Sequence, residues 1–429
     1  MKVLIVHNRY RSSSPGGEDR VVDQEAEALA ARGHDVHHLE RRSDDIDAFS
    51  LIGKARVPLA MLWSGRAAGD LRDAVARLRP DVVHVHNLFP LLSPSVLATC
   101  ERQRIPCVVT FHNYQQVCPS GTLYRGGASC QECVGRRVAA PAVHHGCYHE
   151  SRIASVPLVA SLAVHRGLWQ RVPSAYLFLS KTHRQALFPA GLPESRCFVK
   201  PNLTLPVDRR GPPEPLVAYL GRLTEAKGIR TLMAAWDCFA GGGGTRGLHL
   251  AIAGSGPLAG DLAAWARGRP GIELLGLLNR QECTRLVQRS AAVVVPSEWE
   301  EPFGLVVVEA MAAGVPPVAP SHGAFPELIS DGVDGMLYPP GDSMALAGVL
   351  QRIAASPAWA AAFGARGRHT YVRRFAPSPV ISQLEAVYQF AMAHPRWAEA
   401  SLRLDKEGAA GPTGAAGTVG TPRIAPRGQ

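Results

Sequence analysis

The segment from Ala291 to Val318, AAVVVPSEWEEPFGLVVVEAMAAGVPPV, leaves a chain few folds to choose from. Its first apolar run, Ala291 to Ser297, is short, β-branched and closed by a turn, the pattern of a strand buried on both faces. Pro302-Phe303-Gly304 then opens a helix, with Pro near the first turn, where its missing N–H costs nothing. Leu305, Val308 and Ala312 give that helix apolar faces, Gly314-Val315-Pro316-Pro317 stops it, and PPVAP begins another strand. Strand, helix and buried strand in this order predict a parallel sheet covered by helices. In such a sheet, ligands sit beyond the carboxyl ends of the strands. Two carboxylates mark that place: Glu301 in the loop and Glu309, eight residues later, in the helix. The free N–H groups of a helix start attract phosphate, whereas a carboxylate accepts hydrogen bonds from neutral hydroxyls. A ligand with both phosphate and sugar hydroxyls meets both demands.

The same alternation runs through the rest of the chain. MKVLIVHN reads as the first strand, followed by the loop His7 to Asp19 and a helix from Arg20 to Arg32. Gly16-Gly17, just before that helix, lets a phosphate approach bare backbone; the alternative is a plain flexible loop. G-x-G-x-x-G is absent, so this is no dinucleotide fingerprint. PDVVHVHN and IPCVVTFHN are strands that deliver His86, Asn87, His112 and Asn113 at their carboxyl ends. His112 reads equally as a satisfied structural histidine or as a site residue. In the second half, LVAYLGR leads into a turn flanked by Arg222 and Lys227, two cations suited to a diphosphate.

These patterns divide the chain of 429 residues into an α/β domain over residues 1–205 and a second over 206–375, joined at the proline-rich PVDRRGPPEP. A helix at 376–400 is expected to pack back on the first domain. The Gly/Ala/Pro-rich tail 401–429 has no core pattern and is expected to be disordered. No apolar run reaches the ~18–20 residues of a spanning helix, and the N-terminus reads as a strand, so a cytoplasmic protein is expected. The formal net charge of +10 favours anionic partners, including the inner face of a membrane. No basic run is interleaved with aromatics, which argues against nucleic acid. The segment Ser155 to Gln170 reads as a core-packing helix, with a membrane interface as the alternative. Within an insertion at about 114–150, Cys118, Cys130, Cys133 and Cys147 follow C-x11-C-x2-C-x13-C. A structural zinc site, reduced thiols, a disulfide and an iron–sulfur cluster all remain open for them.

Taken together, Gly16-Gly17, Thr110-Phe111-His112, GRL-x3-KG at Gly221 to Gly228, GSGP at Gly254 to Pro257, and E-x7-E from Glu301 to Glu309 resemble the retaining glycosyltransferases of family four (glycosyltransferase group 1). The likeness covers about residues 1 to 395. HNLFPLLSP and TFHNYQQVCPSGTLYR further resemble a bacterial subgroup that builds surface polysaccharides. The resemblance implies the GT-B fold, two Rossmann-like domains facing each other across a cleft. It implies a nucleotide-diphosphate sugar in the second domain and a saccharide or lipid-linked acceptor in the first, with no metal needed for catalysis. Glu309 would then bind the ribose and Glu301 the donor sugar. Phe303, Gly304 and Leu305 would offer backbone N–H groups, Arg222 and Lys227 would hold the diphosphate, and Gly16-Gly17 would face them across the cleft. His112, with Glu301, Arg222 and Lys227, would form the catalytic set. The four cysteines lie outside the family pattern. A sugar-nucleotide epimerase of similar architecture and a non-catalytic nucleotide-sugar-binding subunit are the rivals.

Overall fold

The computed structural model describes residues 1–12, 17–208, 211–242 and 247–397. Alternation along its strands decides where the first core lies. β1 (Lys2–Arg9), β2 (Asp35–Arg42), β3 (Val82–Val85) and β4 (Cys107–Thr110) precede a small hairpin of β5 (Tyr124–Arg125) and β6 (Ala128–Ser129). β7 (Ala175–Phe178) and β8 (Cys197–Val199) complete a six-stranded sheet in the order β2-β1-β3-β4-β7-β8, parallel throughout. Successive side chains point to opposite faces. Leu4, Val6, Val83, Val85 and Val109 therefore enter one cluster, and Val3, Ile5, Val82 and Val108 enter another. Both faces are covered, which is why these strands read as unbroken apolar runs.

The second half repeats the plan. β9 (Leu216–Leu220), β10 (His249–Ala253), β11 (Ile272–Gly276), β12 (Ala292–Val294), β13 (Pro317–Pro320) and β14 (Met336–Tyr338) form a parallel sheet in the order β11-β10-β9-β12-β13-β14. Strand order reverses on either side of β9, and a crevice opens at such a switch point. Arg222 and Lys227 follow β9, and Glu301 follows β12, its neighbour.

The last helix, Pro377–Ala393, belongs to the first lobe's core. Val380, Ile381, Leu384, Val387 and Tyr388 share one cluster with Val3, Ile5, Val82 and Leu177. Four sequence readings need revision or fall outside the description. Gly16 and the tail 401–429 lie outside the described residues. Pro302 and Phe303 precede the helix, which runs Leu305–Ala312 behind Gly304 as N-cap at φ 115°. The segment read as one helix from Ser155 to Gln170 is two, Arg152–Val164 and Arg166–Arg171, broken at His165. A helix over Leu51–Leu62 was hidden because Pro58 interrupts its sequence pattern.

Candidate active site

Glu301 is the best-held side chain at the carboxyl ends of the second sheet. Its Oε1 accepts from Lys227 Nζ at 2.5 Å and from Ser297 Oγ at 2.7 Å. Lys227 also lies over the Trp299 ring, 5.0 Å from its centroid. Burial pushes the Glu301 carboxyl up, but Lys227 and the hydrogen bonds outweigh it and hold the group below the ordinary carboxylate value. The backbone is fixed as well: Ala324 N–H donates to Glu301 O at 3.0 Å, and His322 Nε2 bonds Ser297 O at 2.8 Å. Lys227 reaches this place because Gly228, at φ +66°, lets its turn lie directly on the Pro296 carbonyl. Arg222 is exposed on the neighbouring loop, which is tied down by Tyr219 Oη donating to Arg222 O at 2.8 Å.

The helix start at Gly304-Leu305 faces the first lobe. A Cβ on Gly17 would stand 2.9 Å from Leu305 Cδ1, so the two lobes touch there. Phe303 is core, packed edge-on to Phe375. One turn deeper, Glu309 pairs across the cleft with Arg20, Nη2 to Oε1 at 2.7 Å. Burial raises the Glu309 carboxyl, and Arg20 and Arg280 only partly offset it. Ser180 Oγ donates to Pro302 O at 2.9 Å, and the Thr182 N–H and hydroxyl both donate to Glu327 Oε1 at 2.7 Å. The structure thus gathers Gly17, Lys227, Glu301, Leu305 and Glu309 at one interface, with Arg222 on the adjoining loop.

His112, in the first lobe, stands at one end of a buried chain that the sequence did not reveal. Its Nε2 bonds His86 Nδ1 at 2.8 Å, and the rings stack. His86 Nε2 lies 3.9 Å from Glu25 Oε1, and Glu25 pairs with the buried Lys200. At 3.9 Å His86 Nε2 and Glu25 Oε1 do not hydrogen-bond, and both stay buried without a hydrogen-bond partner. Burial first, then His7 and Lys200, lowers the pKa of His112 well below the usual histidine value, so the ring is neutral. Glu25, His84 and His86 are near enough to share a metal ion. They do not suit one. Lys200 already compensates Glu25, and both His84 nitrogens are bonded, to Tyr388 Oη and Thr110 Oγ1, each at 2.7 Å.

Glu18, missed in the sequence, lines the same cavity as His112. It accepts from Tyr10 Oη at 2.9 Å. Burial raises its carboxyl to about 7, against the opposing pull of His7 and the Tyr10 hydrogen bond. A raised folded-state value means that stability is lost as pH climbs from the ordinary carboxylate value of 4.5 to about 7. The loss should reach about 3 kcal/mol at higher pH, from ~1.4 kcal/mol per unit. Glu18→Gln is expected to flatten this slope and to raise the melting temperature increasingly as pH climbs from 4.5, with the full gain above about 7, as read by thermal melts across pH. An unchanged slope would show that Glu18 is not the group responsible.

The four cysteines meet around one module without forming a ligand sphere. Among the described residues, no three of their sulfurs come within the 4.8 Å mutual reach that defines a candidate ion site. Burial, with the neighbouring thiols of Cys118, Cys147 and Cys130, pushes the Cys133 thiol up to about 11, and burial with Cys118 raises Cys147. Backbone bonds such as Cys130 N–H to Leu123 O, 2.7 Å, and an ion pair between Arg125 and Glu132 hold the module.

Comparison with known proteins agrees with this geometry. The model "Glycosyltransferase Family 4" matches residues 15–203, and "Glycosyl transferases group 1" matches residues 214–356. The phosphatidyl-myo-inositol mannosyltransferase of Mycobacterium leprae is 29% identical over 397 residues, covering 89% of this chain and 94% of that one. Glycogen synthase of Mycobacterium tuberculosis is 28% identical over 399 residues, covering 83% and 87%. The chain spans about half, 51%, of Arabidopsis thaliana sulfoquinovosyl transferase, at 26% identity over 67% of its own length. Among solved structures, sucrose-phosphate synthase from Thermosynechococcus elongatus superposes with a TM-score of 0.66 at 20% identity, covering 92% of this chain and 99% of that one. Anabaena HepE in complex with UDP gives 0.61 at 17%, covering 91% and 100%. One family's two models meet at the linker between the sheets, so the chain belongs to the family-four, group 1 glycosyltransferases, with the GT-B fold.

Proposed function

We propose that the protein transfers a sugar, with retention of configuration, from a nucleotide-diphosphate sugar to a hydroxyl of a saccharide or lipid-linked acceptor in the assembly of bacterial surface polysaccharide. The observation that carries this reading is the contact of Lys227 with Glu301 at a helix start that meets the opposite lobe. The bond from the sugar's anomeric carbon to phosphate breaks, and its electron pair leaves with the nucleoside diphosphate. The acceptor oxygen bonds to that carbon from the same side, and its proton passes to the departing phosphate. Lys227, Arg222 and the N–H groups at Leu305 stabilise the charge that develops on the leaving group, work that needs no divalent cation. Glu301 takes hydroxyls of the sugar, and the ribose displaces Arg20 from Glu309. The neutral His112 exchanges a hydrogen bond with a hydroxyl beside the reacting carbon.

The relatives named above are, by their names, mostly sugar-transferring enzymes with different acceptors. HepE is known with UDP and with UDP-glucose, so uridine diphosphate is the first ligand to try. Thermal shifts with UDP, GDP and ADP are expected to single out one diphosphate. Turnover of the matching nucleotide sugar should persist in EDTA, and NMR of the product should show the donor's anomeric configuration. Stabilisation by none of the three would sink the reading. An epimerised nucleotide sugar formed without acceptor would assign the isomerase rival instead.

A further inference from the structure

Two helices of the first lobe expose the apolar side chains that a folded chain usually hides. Leu51 is 87% and Ile153 85% exposed, the highest values among the large apolar residues described. Their helices, Leu51–Leu62 and Arg152–Val164, lie side by side, joined by Ser161 Oγ donating to Met61 O at 2.8 Å. Neither helix contains an acidic residue, and Lys54, Arg56 and Arg152 are exposed on them. Two neighbouring helices that expose apolar side chains and cations, with the exposed carboxylates Asp45, Asp47 and Glu150 confined to the segments that precede them, suit the surface of an anionic bilayer.

Behind the second helix lies a cavity with a floor of Val159, Leu162 and Leu192 and a rim of Arg136, Arg137 and Arg166. Arg136 donates to Glu132 O at 2.7 Å and Arg166 to Pro189 O at 3.0 Å, both carbonyls. The nearby Glu132 carboxylate is taken by Arg125 and His145. Among the described residues, none of the three arginines has a carboxylate partner. Three uncompensated guanidiniums over an apolar floor are suited to an amphiphile with an anionic head, because each offers a fork to phosphate oxygens. Gln115, Gln116 and Trp169 line both this cavity and the one that holds His112, so the two are neighbours across these three side chains.

We propose that this cavity is the acceptor site for a lipid-linked saccharide phosphate. The phosphate sits on Arg136, Arg137 and Arg166, the saccharide runs past Gln115 and Gln116 to His112, and the lipid chain leaves along two helices seated in the membrane surface. This rests on the proposed function in placing the acceptor at His112. Farnesyl phosphate, farnesol and inorganic phosphate, titrated calorimetrically against the whole chain, test it. Farnesyl phosphate is expected to bind at least about tenfold more tightly than either part alone. Arg137→Ala with Arg166→Ala should abolish that preference. Leu51→Glu with Ile153→Glu should keep it, but lose sedimentation with vesicles of equal phosphatidylcholine and phosphatidylglycerol. Equal affinity for inorganic phosphate, or a preference untouched by the arginine substitutions, would overturn the site. Sedimentation untouched by the helix substitutions would overturn the membrane seat. Stabilisation by nucleoside diphosphate, measured on the same variants, should survive in all of them. Its absence from the unsubstituted protein would count against the donor reading while leaving this one standing.

Discussion

Lys227→Met should lower transfer by a factor on the order of 10²–10³, the usual loss when one preorganised donor to developing charge is removed. The effect has a second component, visible without substrate. Glu301 would be left buried without its cation, and its carboxyl, now held low by Lys227, would rise. Breaking the pair should cost about 2 kcal/mol, below the figure for fully buried pairs because Lys227 is 21% exposed. The variant should therefore melt lower at neutral pH and recover as acid protonates Glu301. Adding Glu301→Gln should restore stability without restoring transfer, a non-additivity expected of contacting residues. Melts and donor turnover on the four proteins of the cycle decide it. Unchanged turnover in Lys227→Met would remove the lysine from the mechanism.

Gly228→Ala should be the most damaging single-methyl change in the second lobe. Its Cβ would fall 1.7 Å from the Pro296 carbonyl oxygen, at φ +66°, where L side chains are already strained. Backbone, not a flexible side-chain tip, must yield, so a loss of at least about 3 kcal/mol is expected. Gly276→Ala supplies the control: φ is +63°, but nothing lies within 4 Å. It should cost about 1 kcal/mol, the conformational part alone. Chemical denaturation of both variants separates clash from strain. Similar losses would mean that the Lys227 turn does not rest on Pro296 as tightly as the structure places it.

Most of the architecture could be read from local pattern, because strands covered on both faces announce themselves as apolar runs and their order follows from the alternation with helices. The pair of Glu301 and Glu309 was legible for the same reason, lying on one loop and one helix. What escaped was held by distance in sequence. Nothing local links Arg20 to Glu309, or His112 to His86 and onward to Glu25 and Lys200. Glu18 reads as an ordinary first-turn acid until the fold buries it. The cysteines were legible as a cluster, since the fold brings Cys118, Cys130 and Cys147 near enough to act on the Cys133 thiol.

The last helix has a bearing on how the protein is made. Val380, Ile381, Leu384 and Tyr388 finish a core whose other walls, Val3, Ile5 and Val82, are translated first. Most chains let the leading domain settle while the ribosome is still at work. Here the leading domain stays ajar, one side of its sheet covered only in part by Val22, Ala26 and Leu29, until the trailing one has emerged and handed the closing piece back.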